Sequence, residues 1–179
     1  MADLSATRLW LMRAAFGALA LCIMFFHLLP LDTQPRGWAP PDLLIAFTFA
    51  WAMRRPDYVP VLLIAGITLL ADLLFQRPPG LMAALVVVAC EYLKTRFGGL
   101  RDASFAGEWL AVCVMIVAVT VLNRLVLLVM AVDMAPLGLT LIQMVLTMLA
   151  YPLVALVTGS LMGVRRLTPS DADSVGGRA

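Results

Sequence analysis

Residues 51–60 read WAMRRPDYVP and place two arginines, a proline and an aspartate between two apolar runs. The run before them begins PDLLIAFTFA, and the run after them reads VLLIAGITLLADLLF. Arg54 and Arg55 end the first run, Pro56 suits the first turn of the next helix, and Asp57 favours that helix N-terminus. The stretch therefore predicts a short polar turn between two membrane helices.

The composition of the whole chain agrees with a bilayer environment. Of 179 residues, 63% are hydrophobic and 13% are charged, which leaves too little polar surface to cover a soluble domain. The net charge of +2 is small and the basic residues are dispersed along the chain, which argues against nucleic acid as a partner. Cys22, Cys90 and Cys113 lie in apolar runs without metal-site spacing, so we expect packing residues and neither disulfides nor zinc.

Apolar runs predict an all-α, polytopic integral membrane protein. A span needs about 20 residues to cross roughly 30 Å of hydrocarbon. Six candidate spans form one predicted bundle over residues 1–164, and residues 165–179 are expected to be a disordered cytoplasmic tail. The spans are 9–29, 40–53, 58–75, 80–95, 109–132 and 136–164.

The lengths of these spans differ. The second and fourth are short, so they either tilt little, extend into flanking residues or cross only partly. The last is over-long, and Pro152 offers a kink. The first is too long for a signal peptide and lacks a cleavage pattern, which predicts an uncleaved helix.

The distribution of Lys and Arg predicts the orientation. With both termini in the cytoplasm, ten of the 13 basic residues lie inside and two lie outside, while Arg124 falls within the fifth span. The inner residues are Arg8, Arg13, Arg54, Arg55, Lys94, Arg96, Arg101, Arg165, Arg166 and Arg178, and the outer ones are Arg36 and Arg77. This asymmetry and an even number of spans indicate a multi-pass membrane protein with both termini in the cytoplasm.

A second pattern is a layer of polar residues near the outer face. Counting 1.5 Å per residue puts Asp72 and Arg124 roughly 22 Å from the cytoplasmic ends of their helices. Asp42 begins the second span at the same level. The candidate polar cluster comprises Asp42, Asp72, Arg124, His27 and Gln143, with Asn123 and Thr140 at similar depth.

Two interpretations of this cluster remain open. Intramembrane charges usually face a bundle interior or a wet cavity, which favours a site for a ligand or partner. The structural alternative is that Asp42 caps its helix, Asp72 lies near a helix end, and Arg124 snorkels or forms an ion pair. In either case an unpaired charge at this depth is costly, so we predict that Arg124 pairs with Asp72 or Asp42.

Other polar residues have simpler interpretations. Glu91 and Lys94 are three residues apart and predict an interfacial pair. Thr140, Gln143, Thr147 and Tyr151 share one face of the last helix, and Gly159 and Gly163 allow close helix approach. We expect this face to contact other helices of the same bundle in preference to a second copy.

Catalytic patterns are lacking in the sequence. His27 is the single histidine, no metal-ligand spacing occurs, and neither a phosphate loop nor a G-x-S-x-G turn is present. We therefore expect a protein that is not an enzyme and has no cofactor. A lipid-active transferase is the least favoured alternative, since it would need a metal-binding or nucleophilic set.

Residues 41–97 resemble the rod shape-determining protein MreD family. The resemblance is carried by P-D-L-L at 41–44, R-R-P-D at 54–57, Gly66 followed by D-L-L at 72–74, and R-P-x-G at 77–80. Later spans fit through Tyr151-Pro152 and the basic pair Arg165-Arg166. Chain length and six spans also agree with this family.

The resemblance implies a non-enzymatic, multi-pass subunit of the bacterial inner membrane that belongs to the cell-elongation machinery, which maintains rod shape by organising lateral peptidoglycan synthesis. Its implied partners are membrane lipid, a bitopic MreC-like protein, the MreB filament, and RodA with its transpeptidase, directly or indirectly. The family fold is thought to be similar to substrate-binding subunits of vitamin importers, which shows where a ligand could sit and not that one binds. A small-molecule-binding transporter subunit is therefore the alternative function.

Overall fold

A computed structural model describes residues 2–29, 39–97, 105–132 and 134–161, and over these ranges the chain is helical without a strand. The helices are α1 (Ala2–Leu28), α2 (Leu43–Arg54), α3 (Val61–Leu74), α4 (Leu81–Phe97), α5 (Phe105–Val129) and α6 (Leu137–Leu161), with a 3-10 turn at Pro56–Tyr58. The predicted all-α class is confirmed, with one helix at each predicted span. The predicted tail at 165–179 lies outside the described residues.

Helix α2 is the centre of the fold. Nine of its 12 residues are buried, and it packs against α1, α4, α5 and α6. A helix that is apolar all round and shielded by neighbours does not need to contact lipid along its length. This central position explains why the second predicted span is so short.

An aromatic cluster joins α1 to α2 within this core. The rings of Phe16 and Phe47 stack with centroids 5.1 Å apart, and the Trp51 indole lies 5.5 and 5.4 Å from them. All three side chains are buried. Because aromatic pairs contribute beyond their buried area, this cluster fixes the position of α1 on the bundle.

Three helices are long and apolar enough to cross a membrane by length and composition: Thr7–Leu28 within α1, Phe105–Val129 and Leu137–Ser160 within α6. Helices α2 and α3 are shorter and apolar. Large apolar side chains lie on the outer surface, among them Leu62 and Val129, each 86% exposed. Such a surface suits lipid in place of water and indicates a membrane protein.

The predicted start of the third helix at 58 is wrong. Pro56–Tyr58 forms a separate 3-10 turn, and α3 begins at Val61 after Pro60. A residue before proline is displaced from helical conformation, and Val59 has φ −127° and ψ 70°. Pro60 therefore separates the turn from α3, so Pro56 and Asp57 do not belong to the first turn of α3.

Two helices begin well before their predicted positions. Helix α1 begins at Ala2, earlier than the predicted 9, and α5 begins at Phe105, earlier than the predicted 109. The second shift places Glu108 inside the first turn of α5, where an acidic side chain complements the helix dipole. Helix α6 continues through Pro152.

Candidate functional site

Asp42 connects the start of α2 to α6. Its Oδ1 accepts a hydrogen bond from the Ile45 backbone N at 3.1 Å, and its own backbone N donates to Thr147 Oγ1 at 2.8 Å. The predicted N-cap role of Asp42 is confirmed. Thr147, part of the polar face predicted on α6, makes an internal helix contact.

Asp72 connects α3 to the start of α4. Its side chain is buried, and its Oδ2 accepts hydrogen bonds from the backbone N of Gly80 at 3.0 Å and of Ala83 at 3.1 Å. Two N–H donors at a helix N-terminus stabilise a buried carboxylate without a cation. Gly80 has φ +87°, so glycine suits the turn that brings these donors together.

The predicted pairing of Arg124 with Asp72 or Asp42 is wrong. Arg124 Nη1 donates to the Ala135 carbonyl at 3.0 Å and to Thr140 Oγ1 at 2.6 Å. Asp42 Oδ2 instead lies 3.7 Å from Arg77 Nη1. The physical reason is that two backbone N–H groups satisfy Asp72, and a carbonyl and a hydroxyl at the start of α6 satisfy Arg124. Arg77 of the α3–α4 turn is instead the cation that pairs with Asp42.

A cavity of about 350 Å³ lies where α2 and α6 begin and α5 ends, which we call the Asp42 end of the bundle. It brings together three predicted residues, Asp42, Arg124 and Gln143, with Asn123 and Thr140. Asp72 lines a separate void of about 20 Å³. Sequence reasoning missed Arg77, which lines both spaces, because it was counted only as a basic residue on the outer side.

His27 lies outside this cavity. It lines another space of about 370 Å³ between α1 and the start of α2, and its ring is 4.6 Å from that of Phe75. Asp42 borders both spaces. The predicted cluster is therefore divided, with His27 on one side of Asp42 and Arg124 with Gln143 on the other.

The opposite end of the bundle, which we call the Arg54 end, contains a buried polar network. Arg54 Nε lies 3.0 Å from Glu108 Oε1, and Arg54 Nη1 donates to the Ala155 carbonyl at 2.7 Å. The Tyr151 hydroxyl donates to the same Glu108 oxygen at 2.5 Å. The network joins α2, α5 and α6 through charge-assisted hydrogen bonds.

Sequence reasoning assigned Arg54 to the polar turn and overlooked Glu108. The sequence did contain an indication of this pair. Glu108 stands at the start of one apolar run and Arg54 at the end of another, and the predicted topology puts both at the same end of the bundle. Tyr151 belongs to the polar face already noted on α6. The three residues are far apart in sequence, and pairing them requires knowledge of which helices are neighbours.

The rest of the polar turn remains near the surface. Pro56 and Asp57 are exposed, and the Arg55 guanidinium lies 5.8 Å from the centroid of the Tyr58 ring. Arg13 of α1 donates to the Asp57 carbonyl through Nη2 at 3.2 Å. These contacts attach α1 to the turn that follows α2.

Glu91 and Lys94 form the predicted pair, with Nζ 2.8 Å from Oε1. Lys94 Nζ also donates to the Val59 carbonyl at 2.7 Å. Val59 precedes Pro60, so this bond ties the irregular segment between α2 and α3 to α4. The pair is thus part of the contacts that fix the Arg54 end.

Among the described residues, no three His, Cys, Asp or Glu side chains are grouped so that they could hold a metal ion. Comparisons of the chain with protein-family models, curated proteins and solved structures found no match. Function must therefore be argued from the residues themselves.

Proposed function

We propose that this chain is a non-enzymatic inner-membrane subunit of the bacterial cell-elongation machinery. In this role it helps to organise lateral peptidoglycan synthesis with MreC and MreB and so maintains rod shape. The resemblance of residues 41–97 to the MreD family is the single observation that carries the proposal.

The contacts of the charged residues in that segment support a scaffold role. Asp42 caps α2 and binds α6, Arg54 joins α2 to α5 and α6, and Asp72 joins α3 to α4. Each residue fixes a junction between helices. A protein that positions partners needs a rigid bundle, and these contacts are of the kind that supplies rigidity.

The proposed topology is six spans with both termini in the cytoplasm. The Arg54 end then faces the cytoplasm and the Asp42 end faces the periplasm. The unequal distribution of Lys and Arg supports this orientation. The short helices α2 and α3 would span with their flanking turns, and shielding of α2 by its neighbours makes its length tolerable.

The proposed main partner is a bitopic MreC-like protein that docks on the lipid-facing surface. Exposed aliphatic side chains on α3, α5 and α6 supply a large apolar area, whereas the connecting segments are short. A stable interface buries about 800 Å² on each partner, which favours helix faces over loops. In this proposal the chain contacts MreB, RodA and its transpeptidase either directly or through the MreC-like partner.

The second candidate function is a small-molecule-binding subunit of a transporter. The observation that favours it is the cavity of about 350 Å³ at the Asp42 end, which falls within the usual size range of ligand pockets. The same cavity is compatible with a scaffold, so partner binding distinguishes the two functions better than the cavity does.

Co-purification from membranes tests the proposal. The tagged full chain is extracted in mild detergent, and bound proteins and small molecules are identified by mass spectrometry. We expect a protein with one span and a periplasmic domain, and we expect the chain to restore rod shape in cells lacking the corresponding family member. Purification of a vitamin-like molecule without such a partner, together with failure to restore shape, would contradict the scaffold role and favour transport.

A further inference from the structure

The cavity at the Asp42 end has unused hydrogen-bond donors. Both hydrogen bonds of Arg124 come from Nη1, so its Nε and Nη2 make no hydrogen bond within the described part of the chain. The same holds for the side-chain amides of Asn123 and Gln143, which line the cavity with Arg124. Donors in a half-buried space require a partner, either water or a ligand.

Among the described residues that line this cavity, the charges sum to a positive value. Arg77 and Arg124 contribute two cations, and Asp42 contributes one carboxylate, which lies 3.7 Å from Arg77. Asp72 is nearby but does not line this cavity, and its Oδ2 already binds two backbone N–H groups. Because Asp42 balances Arg77, Arg124 carries the excess positive charge among the described lining residues.

The charged side chains of the described lining lie at its outer end, whereas the deeper lining is uncharged and mostly apolar apart from Thr120 and Thr147. Arg124 and Asn123 lie near the end of α5, whereas Ile116 lies eight residues earlier, about 12 Å deeper at 1.5 Å per residue. Ile45 and Met144 line the space with Ile116. An amphiphile fits this gradient, since its polar group would meet the cations and its apolar part would contact these side chains.

We propose that this cavity binds the phosphate group of an amphiphilic ligand, with Arg124 as the cation and with Asn123 and Gln143 as additional donors. Guanidinium groups bind phosphate through several N–H donors at once, and a phosphate has enough oxygens to accept from all three side chains. A volume of about 350 Å³ accommodates a headgroup and the beginning of a chain. The ligand is thus the headgroup of a membrane phospholipid or a free phosphate compound.

This inference concerns the isolated chain and does not depend on the scaffold role. Loss of a protein partner would contradict the proposed function and leave phosphate binding intact. Loss of phosphate binding by the purified chain would contradict the inference alone.

The test uses the purified full chain in a neutral detergent. Binding of dioleoylphosphatidylglycerol is measured by native mass spectrometry and compared with dioleoylglycerol, which has the same chains and no phosphate. Inorganic phosphate is titrated separately by calorimetry. The variants are Arg124→Gln and Gln143→Leu, with Arg8→Gln, an exposed arginine of α1, as the matched control.

We expect phosphate-dependent binding that Arg124→Gln weakens by about tenfold or more, because a hydrogen bond to a charged group contributes roughly 1.5–3 kcal/mol. Gln143→Leu should weaken phosphate binding less, by roughly threefold, because it removes one uncharged hydrogen-bond donor and leaves the Arg124 cation in place. Arg8→Gln should have no effect. Gln143→Leu removes no side-chain hydrogen bond found among the described residues, so it remains informative if Arg124→Gln fails to fold.

The two probes identify the source of the phosphate. Binding of the phospholipid without binding of inorganic phosphate supports a lipid headgroup, and saturable binding of inorganic phosphate supports a free phosphate compound. Equal binding of phospholipid and dioleoylglycerol with no response to inorganic phosphate would overturn the proposal. Equal weakening by Arg8→Gln and Arg124→Gln, or no weakening by Arg124→Gln and Gln143→Leu, would overturn it too.

Discussion

Arg54 and Glu108 form an ion pair between α2 and α5, with Nε and Oε1 3.0 Å apart. The side chains are 13% and 2% exposed, so both charges are largely removed from solvent. From α6, the Tyr151 hydroxyl donates to the same Glu108 oxygen, and the Ala155 carbonyl accepts from Arg54. In such a pair the removal of one partner is more harmful than the removal of both, since it leaves a buried charge alone.

Glu108→Ala is therefore expected to lower the free energy of unfolding by about 3–5 kcal/mol, the usual range for breaking a buried ion pair. Unfolding is measured by SDS titration in mixed micelles. The matched control is Glu91→Ala, because the Glu91 carboxylate is 41% exposed and its pair with Lys94 should contribute about 0–1 kcal/mol. The double variant Arg54→Leu with Glu108→Leu should be more stable than Glu108→Ala, and equal losses for Glu108→Ala and Glu91→Ala would refute the role of the buried pair.

Replacement of Asp72 tests how α4 is held. Asp72→Asn keeps an oxygen acceptor for the N–H groups of Gly80 and Ala83, whereas Asp72→Leu leaves both without a partner. We expect Asp72→Leu to be less stable than Asp72→Asn by roughly 1–3 kcal/mol, the cost of unsatisfied buried donors. Thermal unfolding in detergent measures the difference.

A second comparison separates this capping role from an ion pair with Arg124. Addition of Arg124→Leu to Asp72→Leu should give the sum of the two single effects, because no contact couples the side chains. Recovery of stability in the double variant would show that the two charges interact after all.

The helix positions could be predicted because charges and prolines interrupt the apolar sequence between successive helices. Arg54, Arg55 and Pro56 separate α2 from α3, and Arg77 with Pro78 separates α3 from α4. The start of α3 was misplaced because two prolines are available, and Pro56 gave a plausible start. The backbone instead continues irregularly as far as Pro60.

The contacts of the polar residues were harder to predict. Counting along a helix gives the depth of a side chain but not the direction in which it leaves the axis. Asp72 and Arg124 were placed at similar depth, yet Asp72 binds the start of α4 and Arg124 binds Thr140 and the Ala135 carbonyl. Glu108 was overlooked because an acidic residue at a helix start usually has a sufficient local reason.

The proposed orientation can be tested by cysteine labelling in intact cells. With Cys22, Cys90 and Cys113 replaced by alanine, Asp57→Cys and Pro79→Cys place one thiol in an exposed turn at each end of the bundle. We expect an impermeant maleimide to label position 79 in intact cells and position 57 only after lysis, since the basic residues favour a cytoplasmic Arg54 end. Labelling of position 57 from outside would reverse the orientation.

Trp51 offers a prediction in which two effects oppose each other. Its indole is fully buried between Phe16 and Phe47, and its Nε1 has no hydrogen-bond partner in the described part of the chain. An unsatisfied buried donor costs roughly 1–3 kcal/mol, and a cavity left by a smaller side chain costs a similar amount. Trp51→Phe removes the donor and part of the volume, so its free energy of unfolding should lie within about 1 kcal/mol of that of the natural chain.

The controls for Trp51 separate the two effects. Trp51→Ala also removes the unsatisfied indole N–H but leaves a large cavity, so it should lower the free energy of unfolding by about 3–5 kcal/mol. Phe16→Leu removes a stacked ring and no polar group. It should lower the free energy of unfolding by about 1–2 kcal/mol through lost volume and lost stacking. SDS titration of the three variants gives the order. If Trp51→Phe is as harmful as Trp51→Ala, the indole N–H makes a stabilising contact, and the destabilisation expected from an unsatisfied donor does not exist.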